Sequence, residues 1–387
     1  MSGVPGHDPR PDRRPGPRPD RPLDERSARL LLARMGEPYD TWVQGLVAEH
    51  GVLDLVGYAL RDGHTPDGTR LDRLLGRAER ALAADDDHIA RALGVRILVP
   101  GDDEWPVAVD DLESPPWCLW VRGPARLDEV AGQGVAVVGA RAASAYGEHV
   151  TAQLCMDLSE RGRAVVSGAA FGIDAAAHRA ALAVQGCTVG VLAGGVDVPY
   201  PRSNTDLIAR IAQTGALVSE TPPGGAPARM RFLARNRIIA ALAVGTVVVE
   251  AGLRSGARST MRHARELGRH VMAVPGPVES VLSQGCHAEI RMGATLVTDA
   301  AEVLELIGRM GVDLAPHKQG ARLERDDLPE ELLRVWQWLR PRRASSVDEV
   351  MVRSGLSLRE ALTALGALEE LGHAEELLDG WRRKDPR

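Results

Sequence analysis

Four arginines, Arg229, Arg231, Arg235 and Arg237, fall within nine residues of the run RMRFLARNRIIAALAVGTVVVEAGLRSG. They lead through a small-residue helix into an apolar strand, residues 246–249, which ends at Glu250 and is followed by Ser255 and Gly256. Cations feeding a buried strand suit the capture of an anion at the end of a parallel sheet.

The same chemistry recurs after other apolar runs. Gly139, Ala140 and Arg141 follow residues 135–138, and Ser167 and Gly168 follow residues 164–166. Gly194 and Gly195 follow residues 188–192 and lead to Asp197, Tyr200, Pro201, Arg202 and Asn204; Ser219 and Glu220 follow residues 216–218; Pro275 and Gly276 follow residues 270–274. Glycine and serine at such turns let backbone N–H groups approach phosphate oxygens, and arginine adds a charged fork. Phe171 and Phe232, the two phenylalanines, sit in glycine- and arginine-rich segments. An aromatic beside a phosphate groove can stack an unpaired base for about 1–3 kcal/mol. Each residue also has an ordinary reading: glycine for a tight turn, Arg235 or Arg237 paired with Glu220 or Glu250, Phe232 in the core. Asp174 would cap a helix and His178, four residues on, would bond locally.

Several chemistries are excluded. The first turn, GARAASAYG, is not GxGxxG, no acid ends the second strand to hold a ribose, and no GxxxxGK[ST] occurs. No nucleophile and base converge, so no catalytic residue, cofactor or metal is expected. Cys118, Cys155, Cys187 and Cys286 lie at no metal-ligand spacing and suit a reduced compartment. The net charge is −6, so a nucleic-acid site must rest on local charge; only Lys318 and Lys384 among the 47 basic residues are lysine. With neither an apolar leader nor a membrane-length apolar run, a cytoplasmic protein is expected.

The elements that would carry these residues fall in order. Residues 1–26, rich in Pro, Arg and Asp, read as a disordered tail, and residues 27–94, with apolar residues at helical spacing, as a small helical, SAM-like domain. Prolines in residues 95–122 suggest an irregular connector, with a possible edge strand at 119–121. Continuous apolar runs alternating with helix-length segments then predict an α/β, doubly wound, mostly parallel sheet over residues 134–310, with the connector packed on it to make a domain of residues 95–310. After a linker, residues 311–326, helices at 330–339, 347–353 and 358–371 and a short ribbon suggest a winged helix over residues 327–387.

The motifs SGAAFGIDAAAH, GGVDVPYPRSN, SETPPG, RFLARNRIIAAL, VVVEAGLRSGA and VMAVPGPV, in this order, resemble the DNA-processing protein A family (DprA, also called Smf). The resemblance spans residues 97–306 and implies an extended Rossmann-like fold. It also implies binding and protection of single-stranded DNA, homodimerisation and loading of the RecA recombinase in natural transformation. The pocket it implies comprises Gly139, Arg141, Ser167, Gly168, Tyr200, Arg202, Asn204, Arg235, Asn236, Arg237, Ser255 and Gly256, to which the residue chemistry adds Phe171. The chain departs from the family pattern at Phe171, where arginine is common, and at SGARSTM and Gly285-Cys286-His287. The rival reading is a nucleotide phosphoribohydrolase or a nucleotide sensor. The first resembles PGGxGTxxE, whereas here Pro223, Gly224 and Gly225 run into Ala226 and Pro227.

Overall fold

The computed structural model describes residues 22–309, 312–316, 318 and 324–384. They form two compact units, divided between Ala315 and Pro316.

The first unit opens with α1 (Glu25–Met35), α2 (Thr41–His50), α3 (Val52–Arg61), α4 (Asp72–Leu82) and α5 (Asp86–Leu93). Asp24, Asp40 and Asp85 accept hydrogen bonds from the first N–H groups of α1, α2 and α5, donors that a helix start leaves unpaired. Order therefore begins before residue 27, and Arg26 pairs with Asp102 at 2.9 Å. The remainder of the expected tail, residues 1–21, lies outside the described residues. Leu32, Met35, Leu55 and Leu74 of these helices share one core with Trp117 and Trp120.

Nine strands form one sheet: β1 (Val95–Leu98), β2 (Leu119–Arg122), β3 (Val135–Val138), β4 (Val165–Ser167), β5 (Thr188–Val191), β6 (Ala216–Ser219), β7 (Gly245–Val248), β8 (His270–Ala273) and β9 (Thr295–Leu296). Their order is β1-β2-β6-β5-β4-β3-β7-β8-β9. From β6 to β9 every pairing is parallel, whereas β1 and β2 are antiparallel additions. The segment expected as a connector thus extends the sheet, with β1 at the edge and β2 inside it. Pro100, Pro106, Pro115 and Pro116 all fall in the loop between them, where they interrupt no ladder.

Helices α6 (Leu127–Gln133), α7 (Ala145–Glu160), α8 (Ile173–Ala183), α9 (Thr205–Thr214), α10 (Arg229–Ala241), α11 (Ala257–Glu266), α12 (Gln284–Arg291) and α13 (Ala300–Ile307) alternate with the strands. Successive strand residues face opposite sides. Val135 and Val137 pack with Leu154 and Leu158, whereas Ala136 and Val138 pack with Ile238 and Ile239. Because both faces are covered, β3 is buried throughout. The chain moves from β3 through β4 and β5 to β6, and α10 then carries it back to β7 on the other flank of β3. This reversal is where open α/β sheets collect ligands.

The second unit contains α14 (Glu330–Trp336), α15 (Val347–Ser354), α16 (Leu358–Glu370) and the hairpin β10 (Ala374–Leu377)–β11 (Gly380–Arg383). Ser357 and Glu360 form the expected capping box, and Val335, Leu365, Leu368 and Trp381 share its core.

Candidate functional site

A cavity of about 300 Å³ opens at the reversal, between the carboxyl ends of β3 and β7. Gly139 and Arg141 line it from the β3 side, Ser255 and Gly256 from the start of α11, and α10 closes it with Phe232, Arg235 and Asn236. The strand ends are tied together, with Ala140 N–H donating to the Glu250 carbonyl at 2.7 Å. A Cβ at Gly139 would lie 2.5 Å from Ile173 Cγ1 and 2.9 Å from that carbonyl, so no side chain fits there. Gly256 caps α11 without a side chain of its own; Ser255 Oγ accepts from Ala257 N–H at 3.3 Å, and the Ser255 and Gly256 carbonyls accept from Arg258 and Ser259 N–H, so the helix start offers an anion the positive end of its dipole.

Successive residues on a helix point about 100° apart, so Arg235, Asn236 and Arg237 fan in three directions. Arg235 turns to the cavity floor, donates to the Gly168 and Val191 carbonyls, and lies 3.8 Å from Asp174. Burial pulls its pKa down to about 10, with Asp174 opposing, so it stays charged at neutral pH. Asn236 Nδ2 donates to the Gly256 carbonyl at 3.2 Å and ties α10 to the start of α11. Arg237 leaves the cavity altogether: it is 1% exposed, donates to Glu220 at 2.7 Å and lies 5.4 Å from the centre of the Tyr39 ring.

Phe232, for which the sequence leaves both base stacking and core packing open, is the centre of a cation–aromatic cluster. The Arg141 guanidinium lies 5.0 Å from its ring centre, that of Arg235 5.9 Å, and the Tyr200 ring 5.5 Å. Tyr200 is half-exposed, Arg202 is exposed, and Phe171 lies beyond Arg141 in a neighbouring cleft. Ser167, Gly168 and Asn204 shape the turns. The Ser167 hydroxyl donates to the Val137 carbonyl at 2.6 Å, and Asn204 Nδ2 donates to the carbonyls of Ala169 and Ala170, both at 3.2 Å. A Cβ on Gly168 would overlap the Arg235 guanidinium.

Asp174 also enters the site, which sequence reasoning missed. The cap of α8 is Gly172, without a side-chain bond, and Asp174 turns instead to Arg235. Its spacing to His178 is visible in the sequence, but its pairing with a distant arginine is not. Burial raises the Asp174 carboxyl above its usual range while Arg235 opposes the shift. His178 bonds locally: Ala169 N–H donates to its Nε2 at 3.3 Å, and its Nδ1 lies 2.7 Å from Thr188 Oγ1. That hydroxyl donates to the Val165 carbonyl, so His178 Nδ1 carries the donated hydrogen and the ring is neutral.

Two guanidiniums around an aromatic ring, beside a helix start, can grip phosphate while a flat ring stacks. Among the described residues no group of three or more His, Cys, Asp or Glu is placed to hold a metal, and no helix is long and apolar enough to cross a membrane.

The family model for DNA recombination-mediator protein A matches residues 96–308. A protein carrying the name DNA processing protein DprA in Mycobacterium tuberculosis H37Rv is 47% identical over 363 residues, 91% of this chain and 92% of its own length. Protein Smf of Escherichia coli K12 is 39% identical over 294 residues, 74% of this chain and 77% of its own. The solved structure of DprA from Streptococcus pneumoniae superposes with a TM-score of 0.59 at 32% identity, covering 74% of this chain and 96% of that one. DNA processing protein A from Helicobacter pylori, described for its single-stranded DNA binding mode, gives 0.50 at 29% identity over 55% and 94%. With the family model matched over more than half of the chain and relatives 47% and 39% identical over most of it, the chain belongs to the DNA recombination-mediator protein A family, that of DprA and Smf.

Proposed function

We propose that this protein binds single-stranded DNA in the cavity between β3 and β7, protects it, and loads RecA onto it in natural transformation and recombination. The reading rests on one observation above all, the Phe232 ring with Arg141 and Arg235 beside it at 5.0 and 5.9 Å. A base stacked on Phe232 leaves its flanking phosphates to these guanidiniums, beside the positive end of the α11 dipole. Nothing in this arrangement reads base edges, so binding is sequence-tolerant and salt-sensitive. The Helicobacter pylori relative, described for single-stranded DNA binding, supports the same assignment.

In this reading Tyr200, Arg202 and Phe171 extend the contact. Ser167, Gly168, Asn204, Asn236, Ser255 and Gly256 set the shape of the turns, and Arg237 acts through Glu220 as a scaffold. The protein acts in the cytoplasm as a homodimeric mediator without a catalytic residue or cofactor. Residues 27–94 serve as a SAM-like helical domain and residues 95–310 as the Rossmann-like DNA-binding domain. Residues 311–326 are a linker, and residues 327–387 a winged helix.

A gel-shift comparison of single-stranded and duplex DNA of one sequence, across a salt series, tests the binding. Single strands should bind more tightly, with log K falling linearly against log salt; equal or better duplex binding rejects the reading. RecA loading is tested separately, by RecA ATP hydrolysis on single strands pre-coated with a single-strand-binding protein. Addition of this protein should shorten the lag, and an unchanged lag removes the mediator role.

A further inference from the structure

We propose that the DNA strand leaves the cavity over Arg141 and enters a second subsite, where Phe171 stacks the next base and Arg179 holds its phosphate. This rests on the single-strand reading above and extends it to a residue outside the expected pocket.

A shallow cleft of about 550 Å³ adjoins the cavity and shares Arg141 with it. Its opposite wall carries Phe171, which is 47% exposed, and Arg179 of α8. Ala175 and Arg179 stand at i and i+4 on one face of α8, and with the capping Gly172 they line the cleft beside Phe171. Arg179 is exposed and has neither an ion pair nor a hydrogen bond through its side chain among the described residues. The rim holds two cations, Arg141 and Arg179, against one carboxylate, Glu148.

The backbone locks the two subsites together. Gly172 has φ +68, and a Cβ there would lie 2.6 Å from the Arg141 carbonyl oxygen; Ile173 N–H donates to the Ala140 carbonyl at 3.2 Å. The turn presenting Phe171 is therefore seated on the turn presenting Arg141. A strand crossing Arg141 meets an exposed ring and then an unpaired cation, the alternation of stacking platform and phosphate contact that holds unpaired strands.

Fluorescence anisotropy of the full chain with labelled oligothymidylates of graded length tests the subsite. Phe171→Ala should weaken binding of long oligomers by about five-fold or more. Arg179→Ala should weaken it too and lower the salt slope by about 0.7, the release expected for one single-strand phosphate contact. Arg179→Ala should bind the shortest retained oligomer as the unchanged protein does, and Arg179→Lys should restore most of the loss. Arg179 is exposed, and melting curves matching the unchanged protein confirm folding. Long-oligomer binding indifferent to both substitutions overturns the subsite alone. Failure of the unchanged protein to bind any oligomer overturns the single-strand reading, and the subsite with it.

Discussion

Asp174 and Arg235 face each other at 3.8 Å, both buried, at the floor of the strand-end cavity. The carboxylate holds the guanidinium in place and also offsets part of the positive potential that a phosphate would meet. Burial raises the Asp174 carboxyl, so the fold favours its protonated form. Stability from this group is therefore full below the unfolded carboxyl pKa and is lost as pH rises through the folded one. Phosphate binding favours the same form, because protonation leaves Arg235 uncompensated. Oligothymidylate, whose bases do not titrate in mild acid, should bind more tightly as pH falls from neutral. Asp174→Asn should bind tightly across that range with a flattened profile. Anisotropy titrations decide, and a variant that keeps the slope of the unchanged protein contradicts the role.

His178 is held neutral by a donor on one nitrogen and an acceptor on the other, and burial, helped by Arg235, lowers its pKa to about 3. The unfolded chain takes up a proton near the ordinary histidine value while the folded one does not. Stability is thus present above that value and falls as pH drops from about 6.5 toward 3, at roughly 1 kcal/mol per unit. Urea unfolding between neutral and mildly acidic pH should show this decline, and His178→Gln should remove much of it. An equally steep decline in the variant would place the acid sensitivity elsewhere.

Arg237 and Glu220 form a buried pair in which Nε and Nη1 of the arginine lack a hydrogen-bond partner among the described residues. Removing one partner strands the other charge, so Arg237→Ala should cost about 3–5 kcal/mol of stability. Arg237→Met with Glu220→Leu should recover most of that loss in denaturant titrations. Single-strand affinity of the folded double variant should stay near that of the unchanged protein, because Arg237 lies outside the cavity. A large affinity loss there would return Arg237 to the binding surface.

Phe232 and Arg141 carry separable parts of the proposed contact. Phe232→Leu keeps an apolar side chain but loses the stacking face, and should weaken binding by about 1–3 kcal/mol with little change in salt slope. Arg141→Ala should act mainly on the slope, lowering it by about 0.7. Titrations at several salt concentrations separate the two, and identical signatures would show that the ring only positions the guanidinium.

Short apolar runs alternating with helix-length segments are enough to establish the parallel sheet, because strands covered on both faces must be apolar throughout. The same pattern marks the strand ends, and so brings Gly139, Arg141, Ser255 and Gly256 to one edge before any coordinates are known. Of the antiparallel pair, residues 119–121 of β2 read as a possible edge strand, whereas β1 and the pairing were hidden because the loop holds four prolines and β1 only four residues, too few to show a period. The run RNR reads along the chain as one basic cluster, yet helical geometry sends Arg235 to the cavity, Asn236 to the start of α11 and Arg237 to Glu220. Asp174 looks like a cap, and Phe232 as much like core as a stacking platform, because their neighbours in sequence are helical. Their roles come from Arg141 and Arg235, which lie in other segments. Local pattern thus determined the elements and their carboxyl edge. Which side chains meet there depended on the rotation of α10 and on which strand ends the reversal juxtaposes, relations between distant segments that only the tertiary structure sets.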